Sequence, residues 1–226
     1  MTRMHRLRLA AASTLFLLLL AIPLSKQPLP ELLQPDEVSI PARSQTTNKS
    51  ALEQLETLAV KGRAPKTGYS RAQFGDGWQR INGCDMRNII LARDLVDERI
   101  DTACKVQSGT LSDPYTGNTI QFLRGQTTSD DVQIDHVVAL SNAWQTGAQQ
   151  LSPQEREALA NDPLELLAVD GTQNQAKGDG DAASWLPPNK AFRCQYVARQ
   201  IDIKVTYRLW VTESEKQAMQ RVLASC

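Results

Sequence analysis

Apolar and polar positions alternate along the chain with two different periods. Ser50-Ala-Leu-Glu53 has the form of a capping box, and Leu52, Leu55, Leu58 and Ala59 follow on one helical face before Gly62. APKTGYSRAQFGDGW, residues 64–78, has no period and reads as loop. Asp85 opens a second helical pattern, DMRNIILARDLVDER, with Met86, Ile89, Ile90 and Val96 apolar. KVQSGTL and NTIQFLR flank Asp113-Pro-Tyr-Thr-Gly117, which is hairpin turn chemistry within residues 105–124. VQIDHVVAL, from residue 132, is a strand, and SNAWQTGAQQL after it is helical. Ser152-Pro-Gln-Glu155 is a second capping box with Pro at the first helical position, and Asn161-Asp-Pro163 stops that helix. LELLAV, residues 164–169, is a strand, followed by a short helix within 172–184 and a longer one from about Asn189 to Tyr207. Thr212 and Glu215 cap the last helix. The pattern is α+β and helix-rich.

The N-terminus follows different rules. MTRMHRLR is basic, and residues 9–24 are apolar apart from Ser13 and Thr14. That run falls short of the roughly 20 residues that span a bilayer as a helix. A basic head and a short apolar run read as an export signal over residues 1–25. No small-x-small cleavage site follows Leu24, so an uncleaved anchor at residues 9–24 stays open, the one route to a membrane. Residues 26–49 carry Pro28, Pro30, Pro35 and Pro41 without periodicity and read as a linker, leaving one domain at 50–226.

Composition narrows the partners. Lys plus Arg equals Asp plus Glu at 25 each, and removing Arg3, Arg6 and Arg8 with the leader leaves 22 basic against 25 acidic residues. A chain of net charge −3 is no basic coat for nucleic acid, so attraction to a polyanion must be local. Cys84, Cys104, Cys194 and Cys226 form no CxxC pair. In an oxidising compartment four such cysteines imply two disulfides, and closeness in sequence favours Cys84–Cys104 and Cys194–Cys226. The protein is therefore expected to be secreted or extracytoplasmic.

The chain has two histidines, and His5 lies in the leader. His136 follows Asp135 inside the apolar run IDHVVAL. After about 25 residues comes LELLAVDGTQNQAKGD, a strand that leads through a polar loop into a helix bearing Asn174. Strand with Asp-His, connection, strand and helix is a ββα-metal layout. A hard divalent ion takes oxygen ligands, and Mg²⁺ binds through few protein groups. Asp135 and Asn174 would supply them, with Mg²⁺ ahead of Mn²⁺. The ion would polarise a phosphodiester, and His136, with an ordinary pKa of about 6.5, would take a proton from attacking water. Neighbouring strand residues face opposite ways, so convergence of Asp135 and His136 demands a strand end or a bulge.

Across residues 50–226 the chain resembles the HNH endonucleases, specifically those similar to the C-terminal domain of GmrSD-type restriction enzymes, a domain also carried alone by exported proteins. The resemblance rests on Ile134-Asp-His-Val-Val-Ala-Leu-Ser141, Asn161 to Asp170, Asn174-Gln-Ala-Lys-Gly-Asp179 and Trp185-Leu-Pro-Pro-Asn189. Cys84-Asp85-x-Arg87 and Asp113 to Gly117 also fit it. It implies metal ligation by Asp135 and Asn174, His136 as base, and products with 5′-phosphate and 3′-hydroxyl ends.

The family commonly has asparagine in the second strand, where this chain has Glu165. A carboxylate holding the ring would raise its pKa and move the optimum upward; the alternative is a backbone carbonyl on the ring with Glu165 turned away. Lys177 and Arg193 are weaker candidates for phosphate contact. Asn142 reads better as a cap than as a ligand, and Asp179 and Asp181 as a polar loop face. Arg193, Arg199, Lys204 and Arg208 share no helical face and build no phosphate track. Arg71 and Arg87 read as structural, and Trp78, Trp144, Trp185 and Trp210 as core or cover.

The resulting expectation is a monomeric extracytoplasmic endonuclease with one divalent metal and no nucleotide cofactor, acting on DNA before RNA. The competing expectation is a non-catalytic, disulfide-stapled extracellular binding module on the same fold, favoured by Glu165 and the acidic balance. A zinc hydrolase lacks ligands, with one usable histidine and no HExxH.

Overall fold

The computed structural model describes residues 48–226, so the expected leader and all but the last two residues of the expected linker lie outside the described residues. The chain enters on α1 (Asn48–Thr57), which starts two residues before the anticipated cap at Ser50 and ends before Gly62. The short strands β1 (Arg80–Ile81) and β2 (Cys84–Asp85) pair and lead into α2 (Met86–Asp94). Asp85 caps α2 by accepting from the Asn88 backbone N–H.

The helical pattern read to residue 99 breaks at Asp94. The Asp94 carboxylate accepts from the Ala168 N–H at 2.9 Å, while Arg93 donates to the Pro163 and Leu166 carbonyls. The chain is thereby pinned to a distant segment and continues as β3 (Leu95–Ile100). β3, β4 (Val106–Ser112) and β5 (Thr119–Leu123) form an antiparallel sheet in that order. The β4–β5 hairpin turns at the anticipated Asp113–Gly117.

β6 (Val132–His136) pairs antiparallel with β7 (Leu166–Asp170), from Val132 opposite Asp170 to His136 opposite Leu166. β7 starts two residues later than the apolar run suggests, because the Asp162 carboxylate and carbonyl take the backbone N–H groups of Leu164 to Leu166 in a turn. Between the strands lie α3 (Leu140–Gln145) and α4 (Pro153–Ala160), the latter with the full Ser152–Glu155 capping box. α5 (Gly171–Lys177) leaves β7 at once. A Cβ on Gly171 would stand 2.0 Å from the Asp130 carbonyl oxygen, so only glycine lets the helix start this close to the entry of β6. α6 (Arg193–Thr206) follows a single 3₁₀ turn at Lys190–Phe192, which takes the first residues of the predicted long helix. α7 (Glu213–Ala224) has the Thr212–Glu215 box.

The β6–β7 hairpin is a wall between two apolar clusters. Val132, Ile134, Leu166 and Ala168 face one, shared with α2 and the three-stranded sheet. Leu167 and Val169 face the other, shared with α1, α3, α6 and α7. Burial on both faces explains why β6 and β7 read as continuous apolar runs. Disulfides join Cys84 to Cys104 and Cys194 to Cys226.

Candidate active site

β6 places Asp135 and His136 in consecutive rungs, opposite Leu167 and Leu166, with no bulge between them. Their side chains therefore leave opposite faces of the hairpin. His136 is the last residue of the strand, so of the two devices that convergence demands, only the strand end is present.

On the Asp135 face, two partners meet the carboxylate. The Tyr115 hydroxyl donates to Oδ2, and the Lys177 ammonium lies 2.8 Å from Oδ1 and donates to the His136 carbonyl at 2.6 Å. Tyr115 gets there through the hairpin turn. Asp113 is buried and accepts from the Thr116 hydroxyl and from the backbone N–H groups of Tyr115, Thr116 and Asp170. Gly117 closes the turn at φ +78°. Asn189, from the Trp185-Leu-Pro-Pro-Asn189 stretch, donates through its backbone to the Tyr115 carbonyl and through its side chain to the Pro114 carbonyl. The turn tip is thus folded inward, and Tyr115 is fully buried. Burial raises its phenol well above the ordinary range, so it stays a donor.

Asn174 lies one turn before Lys177 on α5, and its Nδ2 donates to Gln133 Oε1 at 2.9 Å. α5 therefore meets β6 in two rungs, Asn174 on Gln133 and Lys177 on Asp135. Lys177 is buried here and is not a solvent-facing phosphate contact.

On the opposite face, His136 Nε2 lies 3.0 Å from the Ala160 carbonyl oxygen. A carbonyl only accepts, so Nε2 carries the proton and Nδ1 is the acceptor nitrogen. The ring lines a cavity of about 400 Å³ with Arg71, Phe74, Trp78 and Leu140. Burial pulls its pKa down to about 3, with the Arg71 charge adding to the shift. The direction is opposite to the one a ring-bound Glu165 would produce.

Glu165 contacts the backbone beyond the histidine. Its Oε2 accepts from the Val138 N–H at 3.1 Å, and Gln200 Nε2 donates to the Val137 carbonyl at 2.7 Å. These are the two ends of one peptide unit, so Glu165 and Gln200 grip the chain where it leaves β6. Of the two arrangements open in the sequence, the structure has the carbonyl on the ring and Glu165 away from it. Burial raises the Glu165 carboxyl well above the usual carboxylate range.

The remaining candidates are dispersed. Arg193 donates to the Pro187 carbonyl beside Lys190 and Arg221, in a cavity that His136 does not line. Arg199 donates to the Pro163, Leu164 and Leu166 carbonyls, and Arg87 to those of Ser129 and Val132. Lys204 is fully buried against Glu215 and Asn142, and Asn142 lies inside α3, whose N-cap is Ala139, so it is no cap. Asp179 pairs with Lys66 and Asp181 with Arg63.

A divalent ion is the group this layout implies, and the side chains as arranged do not fit one. Both Asp135 oxygens are engaged, one by an ammonium. Asn174 donates Nδ2 to Gln133, so only its neutral Oδ1 is left to offer an ion. Among the described residues, no group of three His, Cys, Asp or Glu side chains converges.

A family model for the C-terminal domain of GmrSD restriction endonucleases matches residues 85–222. The chain belongs to this family. The match contains β6, β7 and α5 with Asp135, His136, Asn174 and Lys177, whereas Arg71 and Trp78, which line the cavity with His136, precede the span matched to the GmrSD C-terminal domain. A protein of Arthroderma benhamiae described as an uncharacterized secreted protein is 38% identical over 195 residues, covering 85% of this chain and 90% of its own length. No solved structure matches the chain. Two disulfides suit a protein like that secreted relative. Among the described residues, no helix is long and apolar enough to cross a membrane.

The sequence pattern gave Trp78 only as core or cover, without its place over His136, and pointed to none of the Tyr115 hydroxyl, Gln200 or the Ala160 carbonyl. The loop SRAQFGDGW offered a signal, an aromatic residue behind two glycines. The Ala160 carbonyl offers none, because a main-chain acceptor exists at every residue.

Proposed function

We propose that this protein is an exported endonuclease that hydrolyses phosphodiester bonds in DNA, with RNA as the secondary substrate. β6, β7 and α5 serve as its ββα nuclease core. The observation that carries the reading is the state of His136. Its ring is held at Nε2–H by the Ala160 carbonyl, is uncharged, keeps Nδ1 as an acceptor and lines a cavity with Arg71.

Water attacks phosphorus, its proton passes to Nδ1, the new O–P bond forms and the P–O3′ bond breaks, leaving a 5′-phosphate. The 3′ oxygen takes its proton from solvent. A ring with a pKa near 3 is a weak base until an anion stands beside it. The phosphodiester supplies that anion and favours imidazolium as the transition state forms. Arg71 has its side chain in no ion pair among the described residues and balances the substrate charge at the cavity. The family suggests a divalent ion in addition, of unassigned identity.

Nicking of supercoiled plasmid by the purified oxidised protein, over about pH 6 to 9 and beside His136→Ala, tests this, since removing a general base costs roughly 10²–10⁴ in rate. Equal nicking by the two proteins would remove His136 from the reaction. No nicking by a folded protein would favour the second reading, a binding module, which the engagement of Asp135 by Lys177 supports.

A further inference from the structure

Asp135 is the carboxylate at which a ββα nuclease core would hold a cation, and a cation from the chain itself is already there. The Lys177 side chain is fully buried and that of Asp135 is 6% exposed. The ammonium takes Oδ1 at 2.8 Å and the His136 carbonyl at 2.6 Å, while the Tyr115 hydroxyl takes Oδ2. Lys177 is the last residue of α5, positioned by the Asp170 cap at the start of that helix and by Asn174 on Gln133 one turn earlier.

We propose that the Lys177 ammonium is the resident cation of this site and competes directly with any divalent ion for Asp135. An ion such as Mg²⁺ or Mn²⁺ needs an oxygen at about 2.0–2.2 Å. Bound to Oδ1, it would sit against an ammonium hydrogen-bonded to the same oxygen, with a dication and a monocation together in a water-poor pocket. Metal entry therefore requires Lys177 to leave. Conversely, removing the ammonium strands a buried carboxylate, which a divalent ion can then satisfy.

The inference rests on the nuclease reading only for the choice of Asp135 as the cation position, and its test does not involve cleavage. Mn²⁺ is titrated into the full-length oxidised protein, and free Mn²⁺ is read by electron paramagnetic resonance. The wild-type protein is expected to bind only in the range of about 1 mM or weaker. Lys177→Met is expected to bind at least about a hundredfold more tightly, because its buried carboxylate has lost its partner. Lys177→Arg keeps the charge and should gain nothing, and Asp135→Asn added to Lys177→Met should abolish the gain. Should Lys177→Met be unfolded without metal, refolding on addition of Mn²⁺, read by circular dichroism, is the same result. Three outcomes overturn the proposal: Asp135-dependent binding by the wild type near about 10 µM or tighter; a folded Lys177→Met with wild-type affinity; or an unfolded one that Mn²⁺ does not rescue. Plasmid nicking that fails alongside a positive Mn²⁺ result would sink the nuclease reading and leave this one standing.

Discussion

Trp78 lies parallel to His136, with ring centroids 5.8 Å apart and planes within 4°. The indole covers an imidazole whose Nε2–H is already spent on the Ala160 carbonyl, and both rings line the cavity with Arg71. Cover and burial keep the ring neutral in the fold.

That neutrality sets an acid limit. The His136 pKa falls from 6.5 to about 3 on folding, so between those values the unfolded chain binds the extra proton. The contribution is complete above about pH 6.5 and is lost as pH falls toward 3, at up to about 1.4 kcal/mol per pH unit. Urea unfolding from pH 7 to 4 should show this slope in the wild type and a shallower one in His136→Gln. Equal slopes would mean that His136 is solvated in the native state.

Glu165 has the opposite sign. Its carboxyl is raised well above 4.5 by burial, so it contributes most below that value and loses the contribution as pH rises toward its folded pKa. Glu165→Gln keeps an acceptor for the Val138 N–H and has no charge to bury. Its melting temperature should exceed that of the wild type more at pH 8 than at pH 4. A constant difference across that range would show that Glu165 does not ionise as described.

Lys204 and Glu215 are both fully buried and join α6 to α7, with the ammonium also donating to Asn142 and to the Trp210 carbonyl. Burial raises the Glu215 carboxyl even against the lysine. Lys204→Met strands that carboxyl and should cost about 3–5 kcal/mol. The double variant Lys204→Met, Glu215→Leu should recover much of the loss. Denaturant midpoints of the three proteins decide it, and a double variant as weak as the single one would refute the coupling.

The Cys194–Cys226 bridge closes a separation of 32 residues, and Cys84–Cys104 one of 20. Each should stabilise by about 3–4 kcal/mol through loop closure. Replacing Cys194 and Cys226 by serine should lower the denaturant midpoint, and full reduction should lower it further. If melting survives reduction unchanged, the bridges add nothing to the stability of the fold.

The elements read correctly from the sequence are those governed by neighbours. The Asp85, Ser152 and Thr212 caps each act on an N–H three residues ahead, and the Asp113–Gly117 turn is built from its own side chains. The misread end of α2 shows the limit. Leu95 and Val96 suit helix or strand, and a contact from Asp94 to Ala168, 74 residues on, decided between them.

The candidate site divides the same way. Sequence by itself determined which groups the chain has for chemistry: one histidine among the described residues, a carboxylate beside it in an apolar strand, and an Asn-x-x-Lys helix behind a second strand. The alternation of a strand also required Asp135 and His136 to face opposite ways. Only the tertiary structure decided what each meets. Tyr115 and Lys177 reach Asp135 from 20 and 42 residues away, and the Ala160 carbonyl reaches His136 from 24. The physical reason is that hydrogen bonds and charges act over a few ångströms of space, and separation along the chain carries no record of that distance until the β6–β7 wall is built.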